Sequence, residues 1–130
     1  MKTILVIDDE YALVESLIDL LEGEGYRVVS AANGKDGLAR VVKENPDLII
    51  TDFMMPIADG LELVRGVRAL ATFRTLPVVM MSASDMAGML TDRRLRLSAF
   101  LSKPFQADEL MSIIRQLIGK GEAGKAAANE

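Results

Sequence analysis

The 130-residue chain contains no cysteine, no histidine and no tryptophan, and its aromatic residues are four Phe and two Tyr. Without cysteine there is no disulfide, no thiol nucleophile and no thiolate metal site. Without histidine there is no imidazole base or metal ligand and no phospho-histidine of the chain's own. Apolar runs stay far short of the ~20 residues of a membrane-spanning helix. The first of them follows Lys2 and leads straight into Asp8 and Asp9, as in a first strand rather than a signal peptide. Basic residues are outnumbered, 15 Lys and Arg against 19 Asp and Glu for a net charge of −4. Neither direct DNA binding nor membrane insertion is expected, and the cytoplasm is the default location. What the chain does have is apolar substance: 50% of its residues are hydrophobic, enough for the packed core of one domain.

Two patterns alternate along it. Short runs rich in β-branched residues occupy 4–7, 28–30, 48–51, 78–81 and 100–102. Between them lie apolar stripes at helical spacing: Leu13, Leu17, Leu20 and Leu21; Leu38, Val41 and Val42; Leu61, Val64 and Val67; and Leu110, Ile113, Ile114 and Leu117. Asn33-Gly34, Asn45-Pro46, Asp59-Gly60 and Leu76-Pro77 punctuate the joints. Strand–helix alternation predicts an α/β fold with a parallel sheet covered on both faces. A further helix is expected over 84–97, capped by Asp85 and weakened by Gly88. Met80 and Met81 read as core, and Arg93, Arg94 and Arg96 as a solvated helix face, with partner docking the minority reading. The closing "GKGEAGKAAANE" has no periodicity, which divides the chain into a folded unit over 1–118 and a flexible tail over 119–130.

The polar residues that end the strands carry the chemistry. The first strand ends in Asp8 and Asp9, the third in Asp52, the fourth in Ser82, and the fifth runs into Lys103. Ligands of open parallel sheets bind beyond the carboxyl ends of the strands. An acid after a strand is commonly a helix cap, and a lysine before proline is commonly a solvated loop residue. Four strands ending in complementary polar groups at one edge is a different matter. Clustered carboxylates raise one another's pKa, and a hard divalent cation such as Mg2+ resolves the crowding. The cation and Lys103 would then form a positive pocket beside one remaining carboxylate, suited to stabilising a phosphoryl group in transfer. With no histidine or cysteine, the nucleophile is a carboxylate.

At these residues the sequence resembles the receiver domain of bacterial two-component response regulators, from residue 2 to about 118. "ILVIDDE", "PDLIITDFMMPIADGLEL", "LPVVMMSAS" and "FLSKPF" each resemble a family signature and come in the family's order and spacing. The resemblance implies a doubly wound, flavodoxin-like (βα)5 fold with five parallel strands in the order 2-1-3-4-5. It implies Asp52 as phosphoacceptor, Asp9 as direct Mg2+ ligand, Asp8 acting largely through water, and the backbone carbonyl of Met54 completing the metal site. Ser82 matches the switch hydroxyl, Lys103 the lysine that pairs with the phosphoryl group, and Phe100 the aromatic switch position. Phe100 also reads simply as a core aromatic on an edge strand. Pro104 matches a proline preceded by a cis peptide bond, and Met54 and Ser84 match positions that tune dephosphorylation. Two features depart from the pattern: "RLRLSAF" stands where a small Gly-Ala pair is usual, and Phe100 lacks a tyrosine's hydroxyl.

The expectation is a phosphorylation-activated switch rather than an enzyme, catalysing only its own phosphoryl transfer and slow autodephosphorylation. The donor is a sensor histidine kinase or a histidine phosphotransfer protein. The output is altered affinity for a downstream protein through the face of the fourth helix, fifth strand and fifth helix, a face also open to a weak homodimer. The rivals are a Mg2+-dependent aspartyl-phosphate phosphohydrolase and a phosphate-independent interaction module. Adjacent acids on the first strand and a chain too short for a substrate cap weigh against the former. The joint presence of Asp9, Asp52, Ser82 and Lys103 weighs against the latter.

Overall fold

A strand that is apolar at every position needs cover on both faces, because successive side chains point to opposite sides. The computed structural model, which describes residues 1–55, 57–83 and 93–121, meets that need. Strands β1 (Thr3–Ile7), β2 (Arg27–Ala31), β3 (Leu48–Asp52), β4 (Val78–Ser82) and β5 (Ala99–Ser102) form one parallel sheet in the order β2-β1-β3-β4-β5. Helices α1 (Tyr11–Gly23), α2 (Gly34–Glu44), α3 (Gly60–Ala69) and α4 (Ala107–Ile118) flank it. Alternate strand residues feed two cores. Ile4, Val6, Ile50 and Met81 join Leu17 and Leu21 of α1 and Leu110 and Ile114 of α4. Leu5, Ile7, Ile49 and Met80 join Val41 of α2 and Leu63, Val64 and Val67 of α3.

The joints follow local chemistry. Asn33 caps α2 by accepting from the Asp36 N–H at 2.8 Å. Asp59 caps α3 in a reciprocal box with Glu62. Asn45 closes α2 at φ 50°, a left-handed conformation that asparagine tolerates. Gly60 has to be small: a Cβ there would stand 2.5 Å from the Asp52 carbonyl oxygen and 2.9 Å from the Met80 sulfur. The absence of a side chain lets α3 start directly against the end of β3.

Two expectations need correcting. Val42 is 61% exposed and not part of the α2 stripe; Gly37 takes that side instead, so close to Ile7 that a Cβ would meet its Cδ1 at 2.7 Å. The helix expected over 84–97 falls largely outside the described residues, and its described end is not α-helical. Arg93–Leu95 is a single 3-10 turn, followed by Arg96 at φ 52°. The chain has to turn here to enter β5, and by Ser98 its N–H already donates to the Val78 carbonyl at 2.8 Å. Arg68 holds the turn, its guanidinium donating to the carbonyls of Leu95 (2.8 Å), Arg96 (3.0 Å) and Phe73 (2.8 Å). Arg93, Arg94 and Arg96 are exposed, but on this turn rather than on a helix face. Among the described residues no helix is long and apolar enough to cross a membrane.

Candidate phosphoacceptor site

β1 lies between β2 and β3, so the chain leaves β1 in one direction and returns to its other side, opening a crevice at the carboxyl ends of β1 and β3. The carboxylates flank that crevice. Ile7 pairs with Thr51, which sets Asp8 beside Asp52 as both strands end. Backbone pairing continues past the strands: Phe53 N–H donates to the Met81 carbonyl at 2.9 Å and Lys103 N–H to the Ser82 carbonyl at 2.8 Å. The second bond draws Lys103 alongside Ser82. The Lys103-Pro104 peptide is cis.

One oxygen from each of Asp8, Asp9 and Asp52 lies within 4.8 Å of the others. Asp8 and Asp52 are buried, at 2% and 8% exposure, and Asp9 is exposed. Lys103 Nζ stands 2.8 Å from Asp8 Oδ2 and 3.4 Å from Asp52 Oδ1. The other Asp8 oxygen accepts from the Glu10 N–H at 2.8 Å. Helix capping is thus part of what Asp8 does, since Glu10, at the cap position of α1, makes no side-chain cap bond itself. Ser82 is buried at the end of β4, at 5% exposure. Burial, and then the charge of Asp8, push the Asp52 carboxyl above its ordinary value, against the pull of Lys103 and the Phe53 N–H. Burial taken singly would depress Lys103, but the hydrogen bond and charge of Asp8, with Asp52 behind them, carry it above its ordinary value. The site therefore holds a secured ammonium beside a carboxylate that ionises reluctantly.

Three close carboxylates against one ammonium leave an excess of negative charge, and every side-chain donor atom of the trio is a hard oxygen. That set fits Mg2+, which binds through one or two carboxylates and keeps several waters. Of the other expected positions, Met54 follows β3 with its side chain 66% exposed, and Phe100 on β5 is 40% exposed, outward rather than in a core. Ser84 lies outside the described residues. Sequence reasoning passed over Tyr11 and Ile57, 77% and 70% exposed, two apolar groups on the segments that carry Asp9 and Asp52. A first-turn tyrosine and a loop isoleucine give no periodic signal.

Comparison with known proteins agrees with this fold. The profile of the response regulator receiver domain matches residues 4–115. Response regulator Rre1 of Synechocystis is 37% identical over 130 residues, covering 98% of this chain and 56% of that protein. The chain spans about half the length of the curated relatives it matches. The chemotaxis response regulator CheY4 of Vibrio cholerae superimposes with a TM-score of 0.84 at 27% identity, over 91% of this chain and 99% of that one. TrrA of Thermotoga maritima, solved in complex with Mg(2+)-BeF, gives 0.81 at 30% identity, over 91% and 100%. With five strands in the 2-1-3-4-5 order, the acids at the switch crevice and a profile match over most of its length, the chain belongs to the response regulator receiver domain family of two-component signalling.

Proposed function

We propose that this receiver accepts a phosphoryl group on Asp52 from a phospho-histidine of a sensor kinase or phosphotransfer protein, and that the modification shifts its affinity for a downstream partner. The observation that carries the proposal is Lys103 Nζ lying 3.4 Å from Asp52 Oδ1, inside a cluster of acids close enough to share a cation. An Asp52 oxygen attacks phosphorus, the P–N bond to the donor's imidazole breaks, and the imidazole leaves with the bond's electrons. Asp9, exposed, and Asp8, with both oxygens already engaged, divide the work of holding Mg2+ as first ligand and supporting group, with the Met54 carbonyl beside them. When bound, Mg2+ neutralises charge on the phosphoryl oxygens. Lys103 carries its proton throughout and pairs with the phosphoryl group. The Ser82 hydroxyl turns toward the added charge of about −2, and Phe100 moves inward from its exposed position. That is a population shift between two states. The face that reads it out includes β5 and α4; the stretch 84–92, between β4 and β5, lies outside the described residues.

Intact-mass measurement after incubation with acetyl phosphate and Mg2+ tests this. The expected result is one stable phosphate adduct on the wild type and none on Asp52→Ala. Uptake by Asp52→Ala at the wild-type rate would remove Asp52 from the role. Rapid phosphate turnover without a stable adduct would point to the phosphohydrolase instead.

A further inference from the structure

β2 is an edge strand, paired on one side only. Arg27 N–H donates to the Lys2 carbonyl at 2.9 Å, and the Ala31 carbonyl accepts from Asp8 N–H at 3.1 Å. Ladder bonds of one strand to one neighbour fall on alternate residues, so Arg27, Val29 and Ala31 turn their backbone groups to β1. Val28 and Ser30 turn theirs outward and have no backbone partner among the described residues. An open edge is a template for another strand, and charge or proline usually blunts it. Residues 28–31, Val-Val-Ser-Ala, carry neither. The two faces beside this edge differ. On the α2 side a cleft of about 340 Å3 lies between Ser30 and Ala31 of β2 and Asp36, Ala39, Arg40 and Lys43 of α2. Asp36 is engaged at the start of the helix, accepting from Asn33 Nδ2 at 3.1 Å. Arg27 and Arg40 share Glu44, at 2.8 and 3.1 Å. Lys43 is exposed and forms no ion pair among the described residues. Arg27, Arg40 and Lys43 against Asp36 and Glu44 leave one positive charge in excess. On the opposite side Val28, with Ile18 of α1, is half-buried at the rim of the core.

We propose that the β2 edge is a docking site for an extended segment of a partner protein, which adds to the sheet as a sixth strand and alternates acidic with apolar residues. Its backbone bonds the outward N–H and C=O groups of Val28 and Ser30. In such strand addition the main chain supplies affinity and alternate side chains supply specificity. Successive side chains of the added strand point to opposite faces. Acidic ones therefore enter the cleft beside Lys43 and Arg40, while apolar ones cover Val28 and Ile18. A slip of one residue reverses every side chain, so the two unlike faces set the register. A second copy of β2, Arg-Val-Val-Ser-Ala, has no acid to offer Lys43, which favours a different chain as the occupant. β1 lies between this edge and β3, so docking here is independent of Asp52 and of its phosphorylation.

Amide chemical shifts and hydrogen exchange of the full chain test this during titration with the capped peptide acetyl-Glu-Val-Glu-Val-Glu-Val-Glu-amide. Saturable shifts are expected at 27–31 and 36–43, with slowed exchange of the Val28 and Ser30 amides. The same peptide N-methylated at two adjacent central residues loses one donor from each of its edges and should bind about tenfold more weakly, the worth of roughly one hydrogen bond. A peptide with lysine in place of glutamate should bind more weakly still, and Lys43→Glu should narrow the difference between the two. Ser30→Pro removes only an outward N–H, which an edge strand tolerates, and should abolish binding; should that variant fail to fold, the N-methylated peptide on the wild type decides. The proposal is overturned by shifts that do not saturate, by saturable shifts elsewhere on the chain, or by equal binding of the N-methylated or the lysine peptide. It is also overturned if shifts at 27–31 follow protein concentration without peptide and the mass in solution doubles, which assigns the edge to a second copy.

Discussion

Ile57 holds a backbone conformation that suits it badly. Its φ is 64°, where a β-branched side chain crowds its own backbone. Its side chain recovers little by burial, being 70% exposed. Asparagine tolerates this region, and glycine tolerates it at the expense of a more flexible unfolded chain. Ile57→Asn is therefore expected to stabilise the domain by about 1 kcal/mol, with Ile57→Gly between it and the wild type. Urea unfolding would decide; an asparagine variant no more stable than wild type would mean the loop is unstrained. The strain sits between Asp52 and the Asp59 cap of α3, and relieving it tests whether that loop's conformation also sets the rate of the proposed phosphoryl transfer.

Among the elements, α3 starts directly against the end of β3 that carries Asp52. Gly60→Ala should lose about 1–3 kcal/mol, the usual effect of overpacking, because the clash at 2.5 Å is with the Asp52 carbonyl rather than with a movable side-chain tip. Gly23 at the end of α1 is the control. Nothing lies within 4 Å of a Cβ there, and Gly23→Ala should gain up to ~1 kcal/mol. Equal behaviour of the two variants in thermal melts would show that the approach of α3 to β3 is not tight. α4 is tied down at its far end by Tyr26, whose hydroxyl donates to the Gly119 carbonyl at 2.6 Å. Burial raises the Tyr26 pKa above 10.0. As pH climbs past that value the unfolded chain releases the tyrosine proton first, so stability falls toward the folded pKa. Lys103, also raised, adds loss in the same alkaline range. Tyr26→Phe should flatten only the tyrosine part, and melting curves from pH 8 to 11 that run parallel in both proteins would reject it.

At the scale of the whole molecule, legibility tracked regularity. β1, β3 and β4 were readable because cover on both faces demands an unbroken apolar run. The edge strands were read short: Arg27 is exposed at the start of β2 and Ala99 only half-buried at the start of β5. Val42 was misassigned because an exposed valine one step beyond a stripe looks the same in sequence as one that closes it. The acids and Lys103 could be brought to one edge from strand ends alone, since parallel strands deliver their carboxyl ends together. The Arg68 clamp could not, because its partners are backbone carbonyls of irregular chain and carry no residue signature. The sheet edge legible from sequence also supplies a test of the whole domain. Asp8, Asp9 and Asp52 against Lys103 leave the crevice net negative, and the two buried carboxylates repel each other in the folded state but not in the unfolded one. A cation that binds only the folded state raises its stability by RT ln(1 + [L]/Kd). The melting temperature should therefore climb with Mg2+, by roughly 4–8 °C per kcal/mol gained if the chain behaves like a domain of 60–100 residues and somewhat less at this length. Asp9→Asn keeps the shape of the site but removes its exposed carboxylate, the proposed Mg2+ ligand, so its melting temperature should hardly respond to Mg2+. Without Mg2+, it should equal or exceed the wild type because one repulsive charge is gone. Equal Mg2+ responses in the two proteins would take Asp9 out of the metal site, and no response in the wild type would leave the acid cluster without a cation to hold.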